Sequence, residues 1–563
     1  MATGRIARAA GIIMVGSILS RMLGLGRVVV ISHLFGGGAQ VDAFNTASQV
    51  STIIYDLLIS GMVSAALVPV LSEYVASDRR AEMGRILGII MTGAVLVLLV
   101  SIGALELGAG PLVHYITNCS IPCPATEALA LDMTRVALPG VLFLGMSAVL
   151  TAALYSLHRF VYTSLSMSSL NVAIIVAALV LAGLLGVQSL ALGLLIGAVL
   201  TVAVQWPGLR DLRIRPSFDF GHPAVRRILI LYAPIAVSLV ASQIALVIDR
   251  RWAFEAGEGS VASMGFATTL IQFGLGLVGA AISLAALPSL SQHFANRNEA
   301  AYRRTLATGI RLVTVLVLPV TAGLLALSVP LITLVFRHGQ FTESDKWRTV
   351  LALVCYVPGL PGAALNQVLI FGFYSRKNTL IPVSVGIAGV GVYLVTALVL
   401  KGSYGMAGLV LANSTQLTFN AAVTGLLLWR GLGGLPGLGI GSTALKAGIG
   451  SVVMGGLSLG VWLLLRGMLP DTSLPARVIA LAVPGAVGLL AYVAALHYLK
   501  VGELATVSGM IARRLPGRLR QPVSARQDIA LDDEIAALGV ESPSSGLEAR
   551  LVSVDLSGDE EEG

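Results

Sequence analysis

The chain is poor in charge. Asp, Glu, Lys and Arg make up 12% of its 563 residues, whereas 56% are hydrophobic, and a soluble domain carries about a quarter charged residues. The mean hydropathy is +0.87, and the charges that remain stand in short clusters between long apolar runs. This pattern excludes a soluble globular protein and an outer-membrane barrel, and it is typical of a polytopic helical membrane protein.

Several kinds of site are also missing. The three cysteines are Cys119, Cys123 and Cys355. They are too few for a metal framework, and for the first two, which share a short loop, a disulfide and two free thiols both remain open. The seven histidines lack metal-ligand spacing, and no glycine-rich phosphate loop of an ATPase occurs. We therefore expect that the protein binds no metal or cofactor and is not an enzyme. If it is a transporter, a coupling ion or the membrane potential would drive it.

The net charge of +8 does not indicate nucleic-acid binding. The cations are scattered over the loops, where the positive-inside rule places them in membrane proteins. Acidic residues are scarcer still, with none between Asp345 and Asp471. A carboxylate-built cation site in the C-terminal half can therefore draw on Asp249 at most.

The first apolar stretch, residues 9–34, is long enough to cross a bilayer at about 1.5 Å per residue, yet it contains two arginines. One stripe of this helix is polar and small: Ser20, Arg21, Gly24 and Arg27. An arginine inside a membrane costs roughly 2.5–3.5 kcal/mol on insertion scales, so both should face water or a counter-charge. Because the arginine fork suits phosphate, we predict that this stripe binds an anionic phosphate or diphosphate group.

Further charges lie in or near the apolar segments. Asp42 and Asp56 are the carboxylates expected to pair with an arginine of the first helix if that arginine is structural. Asp249 and Arg250 stand at the end of a later apolar segment, where they would form a gate or simply reach the membrane interface. The alternative for Asp56 is a carboxylate that titrates as a coupling site. The two interpretations of Asp56 and the two of the Asp249–Arg250 pair remain open.

Hydropathy and loop charge predict an all-α polytopic protein with about 14 transmembrane helices. The predicted spans lie near residues 9–34, 42–72, 84–107, 130–157, 160–186, 189–207, 228–250, 261–291, 306–328, 347–373, 379–400, 404–429, 443–466 and 476–499. Loops after even-numbered spans are richer in arginine than loops after odd-numbered spans. We therefore expect a bacterial plasma-membrane protein with both termini in the cytoplasm.

An internal repeat divides the chain. The segment LVPVLSEYVA at 67–76 returns as ALPSLSQHFA at 286–295, which predicts two parallel six-helix lobes around a central cavity with two extra C-terminal helices. The predicted domains are the lobes 1–220 and 221–430, the added helices 431–500, and a cytoplasmic tail 501–563. Within the tail, 501–520 is expected to form a basic amphipathic segment that contacts membrane lipids, and the acidic remainder to be disordered.

The sequence resembles a known family at several places in the same order. These are SRMLGLGRVVVISHLFG (20–36), VDAF (41–44), LVPVLSEY (67–74), SQIALVIDR (242–250), ALPSLSQHF (286–294), HGQFTESD (338–345) and GFYSRKNTLIPV (372–383). They are similar to stretches of the MurJ/MviN lipid II flippases, which belong to the multidrug/oligosaccharidyl-lipid/polysaccharide exporter superfamily, and this chain resembles a divergent member of that family.

The resemblance implies an alternating-access flippase that moves lipid II to the outer leaflet for peptidoglycan and cell-wall synthesis. Its substrate would be a lipid-linked diphosphate sugar, and cell-wall synthesis enzymes would be partners. Arg21 and Arg27 match the arginines that line the family's cavity. The two extra helices would form a groove for the lipid tail.

This sequence departs from the family where charge is expected. Tyr55 and Asp56 stand where arginine is usual, and Thr268 and Thr269 replace an aspartate and an arginine. The cavity should therefore be less cationic than in typical members. Another polyprenyl-linked glycan, a drug or cation antiporter, and a non-transporting scaffold remain as alternatives.

Overall fold

A computed structural model describes residues 2–56, 66–76, 79–117, 124–434, 437–468 and 473–503. Within these residues, all regular secondary structure is helical. The helices of the first part are α1 (Ala2–Phe35), α2 (Ala39–Tyr55), α3 (Val68–Ala76), α4 (Arg80–Thr117), α5 (Pro124–Ser156), α6 (Phe160–Leu185), α7 (Gln188–Gln205) and α8 (Pro223–Glu255). Those of the second part are α9 (Ser260–Ala295), α10 (Glu299–Ala326), α11 (Ser328–Phe336), α12 (Glu343–Tyr356), α13 (Leu360–Ser375), α14 (Leu380–Tyr404), α15 (Met406–Gly431), α16 (Ile440–Arg466) and α17 (Leu474–Tyr498).

Among the described residues, ten helical segments are long and apolar enough to cross a membrane. Every predicted span overlaps one or two helices, so the all-α polytopic fold is confirmed. Two details differ from the prediction. The short helix α11 was not predicted, and the predicted span at 347–373 is broken by a 3-10 turn at Val357–Gly359, where Pro358 has no amide hydrogen to donate.

The described residues pack into two compact units. The first comprises 1–273, 328–356 and 387–416, and the second comprises 274–327, 357–386 and 417–563. Because this division falls inside α9, α14 and α15, it records packing rather than separately folding domains. The domain boundaries at 220 and 430 stay a prediction. Cys119, Cys123 and residues 504–563 of the predicted tail lie outside the described residues.

The first unit is held by close helix contacts and a buried polar centre. Glycines of α7 let it approach α6 closely, because a Cβ at Gly193 or Gly197 would meet α6 at 2.8 Å. Gln205 at the end of α7 donates to the hydroxyls of Ser147 on α5 and Ser166 on α6 at 2.7 and 2.6 Å. Because these polar groups satisfy one another, three helices are fixed in register without an unpaired donor.

In the second unit, α10 is the helix on which α16 and α17 pack. The Tyr492 hydroxyl of α17 donates to the Val315 carbonyl of α10 at 2.6 Å. Arg311 of α10 lies 2.7 Å from the buried carboxylate of Glu503, just after α17, and donates to the Leu438 carbonyl before α16. One arginine thus ties both ends of the added helix pair to α10.

Candidate functional site

Arg21 carries its charge on an exposed surface of α1. Its Nη1 donates to the backbone carbonyl of Gln272 in α9 at 2.6 Å, and the residue is exposed. A carbonyl supplies a partial negative charge only, so the guanidinium keeps its unit charge and four further N–H donors. Arg21 can therefore accept an anion without first breaking an ion pair.

Arg27 lies about 9 Å farther along the helix axis, six residues on at roughly 1.5 Å each. Its Nε is buried and has no hydrogen-bond partner. No ion pair joins Arg27, or Arg21, to any carboxylate among the described residues. A buried donor without a partner is costly, and a bound anion would remove that cost.

The small residues of the stripe lie against α6. Ser20 donates through its hydroxyl to the Met167 carbonyl at 3.0 Å, and Asn171 donates to the Ser20 carbonyl at 3.4 Å. A Cβ at Gly24 would also meet the Asn171 amide at 4.0 Å. Ser20 and Gly24 therefore lie in the α1–α6 contact, where they position α1. Of the four residues in the predicted binding stripe, only Arg21 and Arg27 carry charge.

Asp42 is buried and serves a different purpose from the ion pair suggested by the sequence. Its two carboxylate oxygens accept the backbone N–H groups of Gly259 and Ala262 at 2.6 and 2.7 Å. These amides open α9, whose first N–H groups have no partner within the helix. Asp42 of α2 is therefore an N-terminal cap for α9, although 217 residues separate it from Gly259.

The cap is reciprocated. Glu258, which precedes α9, accepts the backbone N–H of Ala39 in the first turn of α2 at 3.3 Å. Each of the two helix N-termini is thus met by a carboxylate from the other segment, where the helix dipole favours negative charge. We call Ala39, Asp42, Glu258, Gly259 and Ala262 the cap pair.

Glycines bring the backbones of the cap pair together with the α11–α12 loop. A Cβ at Gly259 would meet the Gly37 carbonyl at 2.6 Å, and Gly259 has φ +78°. The same holds for Gly36, with φ +73°, against the Gln340 carbonyl at 2.8 Å. The Gln340 amide in turn donates to the His33 carbonyl at 2.9 Å. Side chains larger than hydrogen would separate these segments.

The other predicted charges lie apart from the arginines. Asp56 is within hydrogen-bonding reach of Gln243 on α8. Asp249 on α8 accepts a hydrogen bond from the Tyr393 hydroxyl of α14. The Nε of its neighbour Arg250 is buried without a hydrogen-bond partner. The partners of these polar groups were not identified from the sequence.

The positions that lost the family's charges are neutral in their contacts as well. The Thr268 hydroxyl donates to the Gly265 carbonyl at 3.1 Å, and the Thr269 hydroxyl donates to the same carbonyl at 2.9 Å. Both side chains are thus bonded to their own helix. They add no cation near Arg21, whose partner Gln272 lies one turn further along α9.

Comparison with known proteins gives a consistent result. A family model described as Lipid II flippase MurJ matches residues 31–479. The chain is 32% identical over 441 residues to the probable lipid II flippase MurJ of Vibrio cholerae, which covers 76% of this chain and 83% of that protein. It is 30% identical over 430 residues to the lipid II flippase MurJ of Burkholderia cenocepacia, which covers 74% and 81% respectively.

Solved structures show the same fold. A lipid II flippase MurJ in an inward closed conformation matches with a TM-score of 0.72 and 22% identity, over 86% of this chain and 97% of that one. An inward-facing multidrug resistance transporter of the MATE family, from the MOP superfamily, matches with a TM-score of 0.65 and 15% identity, over 74% and 95%. The chain thus shares its helical fold with both of these structures.

Proposed function

We propose a transport mechanism for this chain, which belongs to the lipid II flippase MurJ family and is a multi-pass protein of the bacterial plasma membrane. Its substrate is lipid II, a lipid-linked diphosphate sugar, and its activity is movement of that lipid across the membrane. The proposal concerns the residues that bind the diphosphate and those that close one end of the path.

Arg21 and Arg27 bind the diphosphate of lipid II. The observation that carries this assignment is that both guanidinium groups lack a carboxylate partner among the described residues, and that a buried Nε of Arg27 has no partner at all. Charge-assisted bonds from arginine to phosphate are about twice as strong as neutral ones. Positions 21 and 27 are separated by about 9 Å along α1, so both long side chains must reach toward one another to engage the same diphosphate.

The cap pair is the gate at the end of α1. Its hydrogen bonds join the start of α2 to the start of α9, and alternating access requires such a contact to form and break as the path opens on either side. If both termini lie in the cytoplasm, as the distribution of loop charge predicts, this gate is on the outer face. Arg250 is close enough to Asp42 to interact with it electrostatically, so Arg250 and its neighbour Asp249 are assigned to gating rather than to substrate.

Translocation is driven by the membrane potential or by a coupling ion, since the sequence contains no nucleotide-binding loop. Cell-wall synthesis enzymes supply lipid II on one side and consume it on the other. The relatives that match most of the chain are named as lipid II flippases, and nothing comparable supports an antiporter or a scaffold.

Transport of fluorescent lipid II in proteoliposomes tests the anion site. Each arginine–phosphate bond contributes roughly 1.5–3 kcal/mol, so a variant with Arg21→Ala and Arg27→Ala should bind and move lipid II at least 100-fold less well. Lysine at both positions should restore part of the activity, because charge returns without the bidentate fork. Arg430→Gln, an exposed arginine at the end of α15, is the matched control. Unimpaired transport by the double alanine variant would disprove the assignment.

A further inference from the structure

Residues 210–222 join α7 to α8 and pack against another helix rather than extending away from the helices. It lies along α4, where two glycines make room for its backbone. A Cβ at Gly84 would meet the Arg213 carbonyl at 3.1 Å, and one at Gly88 would clash with the Arg215 carbonyl. The amide of Ser217 donates to the Thr92 hydroxyl at 3.2 Å. The segment is therefore bound to the helix rather than loosely attached.

This placement takes two aromatic rings to the membrane boundary. Arg85, which pairs with Asp219 at 2.9 Å, is the last charged residue of α4 before the uncharged run 86–105. Beyond it stand Phe218 and Phe220, which are 70% and 44% exposed and whose rings meet edge to face at 6.3 Å. Exposed aromatic rings at this level match the aromatic belt of membrane proteins.

Beside the rings is an apolar groove between α4 and α8, with a volume of about 470 Å³. Its lining includes Gly93, Ala94, Val97, Phe220, Val225 and Leu229. The volume falls within the roughly 300–1,000 Å³ of small-ligand sites. The Phe220 ring can lie against α4 because a Cβ at Gly93 would meet it at 3.1 Å. The groove therefore suits a hydrocarbon chain.

Arginines without an ion pair lie near the end of the groove that is closest to the membrane boundary. The carboxylates of this face are already engaged: Asp211 with Arg159, Asp219 with Arg85, Glu82 with Arg79, and Glu73 with Arg227. Arg213, Arg215 and Arg226 are exposed and form no ion pair among the described residues. This face therefore carries an excess of positive charge next to an apolar groove.

We propose that the α4–α8 groove is a binding site for an anionic phospholipid of the bilayer. One acyl chain occupies the groove between Gly93 and Leu229, and the phosphate lies on Arg213, Arg215 and Arg226. Charge complementarity selects the anionic headgroup, because basic residues beside a membrane attract anionic lipids. The site is separate from Arg21 and Arg27, and it holds a lipid that is not transported.

Native mass spectrometry of the purified full chain tests this site, with phosphatidylglycerol and phosphatidylcholine of identical acyl chains as probes. The wild type should retain phosphatidylglycerol more tightly. Replacing Arg213, Arg215 and Arg226 by glutamine should weaken that binding about 100-fold, since each basic residue near the surface contributes roughly fivefold. Phosphatidylcholine binding should change little. Ala94→Phe, which fills the groove, should weaken the binding of both lipids.

The matched control replaces three exposed arginines elsewhere, Arg297, Arg304 and Arg430, by glutamine. This control should leave phosphatidylglycerol binding within twofold of the wild type. An equal loss in the control would overturn the proposal, because general surface charge would then suffice. Undiminished phosphatidylglycerol binding in the first triple variant, or retention of a polyprenyl phosphate in place of phosphatidylglycerol, would also overturn it. Because the readout is binding, the result is independent of transport.

Discussion

Removing the charge of Asp42 should weaken the closed state of the gate that the cap pair forms. Its carboxylate accepts two backbone N–H groups at 2.6 and 2.7 Å. Asparagine has the same shape but one acceptor oxygen, so in Asp42→Asn one amide would face an NH2 group. Loss of an N-terminal cap costs about 0.5–2 kcal/mol, and a hydrogen bond to a charged group contributes about 1.5–3 kcal/mol. We therefore expect the closed arrangement to lose about 2 kcal/mol relative to the open one.

A change of about 2 kcal/mol lowers the closed-to-open ratio about 30-fold. Spin labels on cysteines introduced at Gln40 and Ser344, both exposed, report that ratio by pulsed electron resonance once the native cysteines are replaced by serine. The Asp42→Asn chain should show a new, longer distance population in liposomes. In the wild type, the short distance should dominate.

Two controls make the measurement specific. Glu258→Gln removes the weaker cap, a single bond of 3.3 Å, and should shift the distances less than Asp42→Asn does. Asp132→Asn changes an exposed carboxylate on α5 and should leave them unchanged. If Asp42→Asn gives the wild-type distance distribution, the two amide bonds do not hold the gate, and the assignment of the cap pair fails.

Two further outcomes concern stability. Glu503→Ala removes the buried carboxylate that pairs with Arg311. Because breaking a buried pair costs about 3–5 kcal/mol, the melting temperature in detergent should fall clearly, and Arg311→Met with Glu503→Leu should recover most of the loss. The hydrogen bonds from Arg159 lower the pKa of Asp211 below its usual value of 3.8, although desolvation acts in the opposite direction. This pair therefore stabilises the fold fully above about pH 3.8. The stabilisation is lost as the pH falls through the lowered pKa. The melting temperature of Arg159→Gln should therefore fall less steeply on acidification than that of the wild type, and an identical slope would contradict this account.

The sequence predicted the helices well because an uncharged apolar run of membrane length is rarely anything but a membrane-spanning helix. It did less well where a helix is short or interrupted. The nine residues of α11 are too few to register as a span, and Pro358 breaks a run whose hydropathy stays high. Hydropathy averages over a window and records neither feature, whereas the backbone geometry of proline decides the second.

The cap pair could not be predicted for a different reason. Asp42 and Glu258 are visible as charges, but their partners are backbone N–H groups, which every residue except proline carries. Sequence patterns identify side-chain ions and suggest side-chain counter-ions, which is why Asp42 was expected to pair with an arginine. Only the arrangement of α2 beside α9 decides which amides are near. An acidic residue at a helix start was the one available signal.

The contacts of Asp42 and Asp56 leave Arg21 and Arg27 without the counter-charges expected from the sequence. A structural arginine in a membrane helix pairs with a carboxylate, and the two nearest in the sequence were Asp42 and Asp56. The first is engaged by the amides of α9 and the second lies beside Gln243. The cost of placing Arg21 and Arg27 in α1 is therefore not offset by any described carboxylate, and Thr268 and Thr269 supply no further cation to share an anion. Two uncompensated cations on one helix are best explained by a ligand that brings its own negative charge, as the diphosphate of lipid II does.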